Sequence, residues 1–305
     1  MFVIAAPGQG SQKPGFLEPW LDHPDYRATL TSWSAAIGVD LVAHGTTSDL
    51  ETITDTAIAQ PLIVAAGIMT GRALLEALPS STPLHMAGHS VGEFTAATLA
   101  GVLRDEDALQ LVALRGRAMA EASALEPTGM SAVIGGEPED LEAALSRHGL
   151  FAANFNGGGQ TVIAGTKDAL ARFAEEPPAG TRVIPLSVAG AFHTPYMATA
   201  VASLASAAAD IVPGEPQYPL YTNRDGSLVS SGATYVSYLV DQVARPVRWD
   251  SCMGSFAGNA ITGMMELAPA GALTGLAKRG LKGVPTVAIN SPEDIALALE
   301  MVTGA

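Results

Sequence analysis

Cysteine is nearly absent from this sequence of 305 residues, in which Cys252 stands alone. A single cysteine excludes an internal disulfide and any metal site built from several thiolates. We interpret Cys252 as a small buried apolar residue, and we expect no metal site elsewhere in the chain.

Positive charge is also scarce. The chain carries 16 Lys and Arg residues against 30 Asp and Glu residues, which gives a formal net charge of -14. Binding to nucleic acid needs a concentrated positive surface, so this balance argues against such a partner. The densest basic group, Lys278, Arg279 and Lys282, lies at the apparent C-terminus of a helix, where the helix dipole favours cations in any case.

Long hydrophobic runs are missing as well. The apolar run near Leu62 to Met69 meets Arg72 before a membrane span of about 20 residues is complete. The opening MFVIAAPGQG has no basic leader and breaks at Pro7, so it predicts a first strand and not a signal peptide. We therefore expect a soluble cytoplasmic protein, with no membrane partner.

The order of predicted elements indicates one large α/β domain that carries a smaller unit. Strands alternate with helices from the first residues, which predicts a mainly parallel sheet with helices on both faces. Between Met130 and Val188 the order becomes β-α-β-β-α-β, the split βαβ pattern of a ferredoxin-like unit. We predict a large subdomain of residues 1–127 and 190–305, and an inserted ferredoxin-like small subdomain of residues 128–189.

Residues 88 to 92, Gly-His-Ser-Val-Gly, match the G-x-S-x-G pattern of a nucleophile elbow. The apolar run PLHMAGH predicts a strand and the alanine-rich segment that follows predicts a helix, so Ser90 falls at their junction. In such a tight turn, side chains at Gly88 and Gly92 would collide with neighbouring backbone. The pattern is short enough to arise by chance in a chain with 32 glycines, but its context supports a serine nucleophile.

A serine nucleophile needs a base, and the sequence offers six histidines. His193, in VAGAFHTPYM, follows the last predicted strand of the small subdomain, and catalytic groups collect in loops at strand ends. A capping or surface role would suffice for His193 alone, but the elbow makes it the best candidate for the base. We interpret His23, His44 and His148 as surface residues. We interpret His85 as a packed strand residue and His89 as a neighbour of the nucleophile.

Six short segments occur in a characteristic order: PGQGSQ at 7–12, QP at 60–61, GHSVGE at 88–93, RG at 115–116, GAFH at 190–193 and PVRW at 246–249. In order and approximate spacing they resemble the motifs of malonyl-CoA:acyl-carrier-protein transacylases, which are related to the acyltransferase domains of polyketide synthases. The resemblance covers practically the whole chain. It implies an α/β-hydrolase-like large subdomain and a discrete enzyme, which we expect to be a monomer.

The resemblance implies a ping-pong transfer for fatty acid or polyketide synthesis. Ser90 would attack the malonyl thioester while His193 takes its proton, and the phosphopantetheine thiol of an acyl carrier protein would then attack the malonyl-serine. In this family a backbone carbonyl orients the histidine, and Gln242 matches that position. Backbone N–H groups of Gln9 and Val91 would form the oxyanion hole. Malonyl-CoA is a substrate, and no cofactor is implied.

Arg115 matches the position that binds the malonyl carboxylate, which a planar guanidinium can hold through two parallel hydrogen bonds. Such an anchor would leave less room for attacking water. The helical pattern alone favours solvated side chains at Arg115 and Arg117, and only the family register selects Arg115. Gln60, His89 and Asn156 match polar positions in the same cleft, although Gln60 and Asn156 also fit purely structural roles.

Phe192 and Val91 resemble the residues of malonyl-selecting members. A phenyl ring there would crowd an α-methyl branch, although one methyl group seldom gives more than about 1–3 kcal/mol of discrimination between substrates. One departure is Ala270, which replaces the glycine usual after that proline and puts the local turn geometry in doubt. The loop around Gln9 lacks the third glycine of a dinucleotide fingerprint, which makes a phosphate-binding role unattractive.

Other functions stay open at this stage. A serine hydrolase would share the elbow but would need a catalytic aspartate and no essential Arg115. An acyltransferase of different acyl-CoA specificity and a non-catalytic carrier-binding module are further alternatives.

The negative net charge of the chain bears on how it could bind a carrier protein. Carrier proteins in these systems are acidic, so an enzyme with a net charge of -14 needs a local basic surface to receive one. We predict docking near Lys278, Arg279 and Lys282, with Lys167 and Arg172 of the small subdomain as the second choice.

Overall fold

The structure, a computed structural model, describes residues 1–304. Its strands are Phe2–Ala6 (β1), Leu84–Gly88 (β2), Thr128–Gly135 (β3), Phe151–Gly157 (β4), Gln160–Thr166 (β5), Thr181–Pro185 (β6), Val247–Arg248 (β7), Gly263–Glu266 (β8) and Thr286–Ala288 (β9). Its helices are Glu18–Leu21 (α1), Pro24–Ile37 (α2), Leu41–Thr46 (α3), Leu50–Thr54 (α4), Thr56–Ala77 (α5), Gly92–Leu99 (α6), Asp105–Ala124 (α7), Pro138–His148 (α8), Lys167–Glu175 (α9), Ala198–Ala208 (α10), Gly232–Asp241 (α11), Trp249–Gly258 (α12), Ala272–Gly280 (α13) and Asp294–Thr303 (α14). Short 3-10 turns lie at Pro195–Met197 and Gln242–Ala244.

A four-stranded parallel sheet, ordered β2-β1-β8-β9, forms the centre of the large part of the molecule. Side chains of β1 alternate between two hydrophobic cores, with Ile4 packed into one and Val3 into the other. Burial on both faces is typical of a parallel sheet with helices on each side. The predicted α/β architecture is confirmed, and it places the end of β2, where Ser90 follows, at one edge of the sheet.

The second sheet has the order β6-β3-β5-β4-β7. Its first four strands pair antiparallel in the order of a ferredoxin-like unit, and α8 and α9 complete the predicted β-α-β-β-α-β pattern. A separate small core contains Leu145 and Phe173. The fold class is therefore confirmed, whereas the subdomain boundaries at 127/128 and 189/190 stay predictions, and residue 305 lies outside the described residues.

The two-residue strand β7 was not predicted. It pairs in parallel with β4, Asn154 opposite Val247 and Phe155 opposite Arg248, and so joins the C-terminal part of the chain to the small sheet. The PVRW segment that carried the family resemblance thus also has a structural role.

Helix α5 is long and apolar enough to cross a membrane by length and composition, but 83% of that stretch is buried inside the fold. It packs against α6 and α7 and serves as a core helix. Arg72, which interrupts the apolar run in the sequence, is exposed and pairs with Asp105 at the start of α7.

Two sequence features have plain structural outcomes. Cys252 is fully buried, and burial raises the pKa of its thiol, so it is the apolar core residue that we expected. At Ala270 the turn forms without glycine, because the side chain of Asn290 bonds both the N–H and the C=O of Ala270.

The small core gives a direct stability test. Phe173→Ala removes a fully buried ring, and we expect it to lower the free energy of unfolding by about 3–5 kcal/mol. Phe151→Ala is the matched control, because that ring is 39% exposed, and it should cost about 1 kcal/mol or less. Urea unfolding followed by circular dichroism measures both, and equal losses would contradict the packing described here.

Candidate active site

Ser90 lies in the tight turn between β2 and α6, and its backbone has a positive φ of 52°. A Cβ atom added at Gly88 would lie 2.1 Å from the backbone carbon of Gly92, and one added at Gly92 would lie 2.2 Å from the carbonyl oxygen of Ala6. No side chain fits at either position, so the two glycines allow the turn that holds the serine in this conformation.

Ser90 and His193 form a hydrogen-bonded pair. Ser90 Oγ lies 2.7 Å from His193 Nε2, and His193 Nδ1 lies 2.9 Å from the carbonyl oxygen of Gln242. Because a carbonyl only accepts, the proton sits on Nδ1 and leaves Nε2 free to accept the serine hydroxyl. His193 also has a positive φ, 61°, and its N–H donates to Val243 O. The geometry is that of an alcohol paired with its base.

Arg115 is 1% exposed, whereas Arg117 on the same helix α7 is exposed. Its Nη1 donates to Gln60 Oε1 at 2.7 Å and its Nη2 donates to Gln242 Oε1 at 2.9 Å. Burial lowers the pKa of the guanidinium to about 10 against the opposing effect of Glu93, so the side chain stays charged at neutral pH. Burial therefore distinguishes Arg115 from Arg117, and the binding of a carboxylate by Arg115 stays a prediction.

A cleft of about 640 Å³ is lined by loops and helices of the large part of the molecule and by strands of the second sheet, and it contains most of the predicted site residues. Eight of them line it: Gln9, Gln60, His89, Ser90, Val91, Asn156, Phe192 and His193. Gln242 and Arg115 are buried behind this wall, and the carboxamide of Gln60 links the guanidinium to the cleft.

The backbone N–H groups of Gln9 and Val91 are free. Within residues 1–304 neither has a hydrogen-bond acceptor, and both residues line the cleft beside Ser90. Unpaired donors next to a nucleophile are suited to an oxyanion.

Comparison with known proteins places this site in a family. A model described as the acyl transferase domain matches residues 2–295. The chain belongs to the acyl transferase domain family. It is 47% identical over 296 residues to the malonyl CoA-acyl carrier protein transacylase of Mycobacterium tuberculosis, an alignment that covers 97% of this chain and 98% of that protein.

Solved structures agree with this assignment. The crystal structure of MCAT from Mycobacterium tuberculosis matches with a TM-score of 0.95 at 46% identity, covering 98% of this chain and 99% of that one. A type II PKS acyl-carrier protein in complex with its malonyl-transacylase matches with a TM-score of 0.91 at 32% identity, covering 98% and 99%.

In this acyltransferase, three other polar residues of the cleft form a chain. His89 Nε2 lies 2.9 Å from Asn156 Oδ1, and Asn156 Nδ2 donates to Gln160 Oε1. Burial lowers the pKa of His89, although the bond to Asn156 acts in the opposite direction. In residues 1–304 His89 has no side-chain hydrogen bond to Ser90 or His193, and with Asn156 it lines the cleft.

The other histidines lie outside the Ser90–His193 pair. His23 is exposed, whereas His44 and His148 are half-buried, so the surface interpretation holds only partly for those two. His85 is a packed strand residue whose Nδ1 lies 3.0 Å from Tyr221 Oη. In the part of the chain that the structure describes, no group of three or more His, Cys, Asp or Glu could hold a metal ion.

Sequence reasoning missed two buried residues beside the pair. Glu93 belongs to the GHSVGE segment but received no role, and Asn223, in YTNRDG, has no pattern that marks it. Asn223 Oδ1 accepts the N–H of Ser90 at 2.7 Å, and Asn223 Nδ2 donates to Gly88 O at 2.7 Å. Asn223 thus bonds the backbone of the elbow at both Gly88 and Ser90.

The protonation state of His193 is testable. Burial and the nearby charge of Arg115 lower its pKa to about 3, so the neutral ring, which a base requires, should persist down to about pH 4 and be lost only below it. Imidazole ¹⁵N chemical shifts recorded from pH 8 to pH 5 should show a neutral His193 with Nδ1 protonated. The His193→Ala variant assigns the signal, and a titration step near pH 6.5 would contradict the predicted burial effect.

Proposed function

We propose that this chain transfers the malonyl group of malonyl-CoA to the phosphopantetheine thiol of an acyl carrier protein through a malonyl-Ser90 intermediate. The observation that carries the proposal is a charged guanidinium, Arg115, buried beside the Ser90–His193 pair and bonded only to neutral carboxamides. The names of the relatives support the same substrate and acceptor.

The first half-reaction would acylate Ser90. Ser90 Oγ attacks the thioester carbon while His193 Nε2 takes the hydroxyl proton, and the N–H groups of Gln9 and Val91 receive the oxyanion. Collapse of this intermediate breaks the C–S bond, and His193 returns the proton to the departing thiolate of coenzyme A. The carrier thiol then attacks the malonyl-serine by the same steps in reverse, which restores Ser90.

Arg115 would hold the free carboxylate of the malonyl group. Its Nη1 is bonded to Gln60, which lines the cleft, so we infer that the carboxylate enters by replacing this carboxamide. A carboxylate accepts stronger charge-assisted bonds than a neutral amide does. Phe192 and Val91 line the same cleft and would crowd an α-methyl branch, which favours malonyl over branched acyl groups.

The hydrolase alternative lacks its expected support. His193 is oriented by the carbonyl of Gln242, and in residues 1–304 no carboxylate bonds or pairs with it. The intact Ser90–His193 hydrogen bond likewise disfavours a non-catalytic carrier-binding module. The choice between fatty acid and polyketide synthesis stays open, as do the predictions that the chain is monomeric, cytoplasmic and free of cofactors.

Arginine at position 115 gives the central test. Arg115→Ala should slow formation of malonyl-serine by about 10–10²-fold, since the charge-assisted bond from Nη1 to the carboxylate, about 1.5–3 kcal/mol, is lost. Intact-mass spectrometry after mixing with malonyl-CoA measures this rate. Arg117→Ala, an exposed arginine on the same helix, should acylate like the wild type. Equal rates for Arg115→Ala and the wild type would refute the carboxylate role.

The basic residues at the end of α13 and just after it supply a docking surface in this proposal. Lys278, Arg279 and Lys282 are all exposed, and Arg279 also lines the cleft. A carrier protein bound here would have a short path for its thiol to reach Ser90. Lys167 and Arg172 are exposed on α9 and remain the second choice.

Charge reversal tests this surface. Lys278→Glu combined with Lys282→Glu should raise KM for an acidic carrier protein about tenfold, because local attraction becomes repulsion. Acylation by malonyl-CoA alone should be unchanged, and Arg279 is left intact because it borders the cleft. Arg27→Glu combined with Arg117→Glu changes the net charge equally at exposed sites on other elements, α2 and α7. If both double variants raise KM alike, net charge and not this surface controls docking.

A further inference from the structure

Glu93 is a buried carboxylate in the first turn of α6, three residues after Ser90 and 1% exposed. Its Oε1 accepts the N–H of Asn223 at 2.6 Å and the hydroxyl of Tyr235 at 3.3 Å. Its Oε2 accepts the carboxamide N–H of Gln242. A buried carboxylate with every neighbour donating to it has a definite direction of hydrogen bonding that a neutral side chain cannot copy.

Through its Oε1 atom, Glu93 is linked by Asn223 to the turn that carries Ser90. The same Asn223 whose N–H bonds Glu93 uses its side chain to hold the N–H of Ser90 and the carbonyl of Gly88. A shift of Glu93 or of its charge would therefore move Asn223, and with it the turn that carries the hydroxyl.

Through its Oε2 atom, Glu93 is linked by Gln242 to His193 and to Arg115. Gln242 donates Nε2 to Glu93 and to Ser90 O, while its Oε1 accepts Arg115 Nη2 and its backbone carbonyl accepts His193 Nδ1. A guanidinium only donates and a carboxylate only accepts, so the amide between them has one permitted orientation.

We propose that Glu93 is a positioning residue that aligns Ser90, His193 and Arg115 with one another through Asn223 and Gln242. This inference rests on the proposed function only for the part that concerns Arg115. The link to Ser90 and His193 stands for any acyl group. Burial raises the pKa of Glu93 to about 7 against the hydrogen bonds that lower it, so the assays below are set at pH 8, where the carboxylate is ionised.

Glu93→Gln is the informative substitution. Its amide can present an oxygen to only one side, so its nitrogen must face a donor, either the N–H of Asn223 or the Nε2 of Gln242. If Gln242 turned its amide over to relieve this, its own nitrogen would then face Arg115. Every arrangement therefore loses the bond to Asn223, the bond to Gln242 or the bond between Gln242 and Arg115, although the shape and the volume of the side chain at position 93 are kept.

Two readouts separate alignment from folding. A neutral fluorophosphonate probe labels Ser90 at a rate that senses Ser90 and His193 alone, whereas malonyl-serine formation also senses Arg115. For Glu93→Gln we expect labelling about tenfold slower and malonyl transfer about 10²-fold slower, because small misplacements of reacting groups have effects of this size. In an Arg115→Ala background, Glu93→Gln should slow both reactions by the same factor. A purely structural role would not change the ratio of the two rates.

Control variants complete the test. Glu266→Gln also neutralises a fully buried carboxylate, one that accepts N–H groups of Gly271, Leu273 and Thr274 and is not hydrogen-bonded to Asn223 or Gln242. It should lower the melting temperature but label Ser90 within about threefold of the wild type. Glu93→Asp keeps an acceptor-only side chain and should recover part of the lost rate, and it serves as the main variant if Glu93→Gln does not fold.

The outcomes are distinct. Folded Glu93→Gln that matches the wild type in both rates would overturn the positioning role. A wild type that fluorophosphonate labels but malonyl-CoA does not acylate would instead refute the proposed function, and the labelling rates would still test Glu93.

Discussion

A single residue, Gln242, joins the parts of this site that the chemistry requires to stay together. Its backbone carbonyl fixes the tautomer of His193, while its carboxamide connects Arg115 to Glu93. His193 and the charged group that would bind substrate are thus both bonded to one peptide segment, the short 3-10 turn after α11. Because the turn is anchored on both sides by charged groups, the orientation of the imidazole does not depend on a mobile side chain.

The charges in the site are buried, and burial has a cost that the structure offsets by pairing them through a neutral amide. Arg115 and Glu93 do not touch directly, since Gln242 stands between them. A direct ion pair would satisfy the guanidinium with a carboxylate already present, and a malonyl carboxylate would then have to compete with it. Bonded instead to two carboxamides, the guanidinium keeps its affinity for an incoming anion.

Much of this arrangement could be predicted from the sequence because its signals are local. The glycines around Ser90 mark a turn that no other residue permits, and the β-α-β-β-α-β order between 128 and 185 follows from short-range periodicity. The pairing of Ser90 with His193 was predicted from the need of a serine nucleophile for a base and from the place of His193 in a loop after a strand. No local pattern could show it, because the two residues are 103 apart in the sequence.

The missed features are long-range. Asn223 reaches Ser90 across 133 residues from a loop without periodicity, and β7 is only two residues long. The helical pattern of α7 could not show that Arg115 faces inward while Arg117 faces solvent, because both suit a polar helix face. Glu93 was visible in the motif, but its role depends on contacts with α11 and with the loop of Asn223, which only the tertiary fold brings together.

The pairing of β7 with β4 has a mechanical consequence. Strand β4 carries Asn156 on the cleft wall, and β7 begins five residues after Gln242, so a short stretch of chain joins the residue that orients His193 to the strand that carries Asn156. The small sheet thereby restrains the stretch of chain whose carbonyl accepts His193 Nδ1, and the rigidity of that sheet contributes to the fixed orientation of the imidazole.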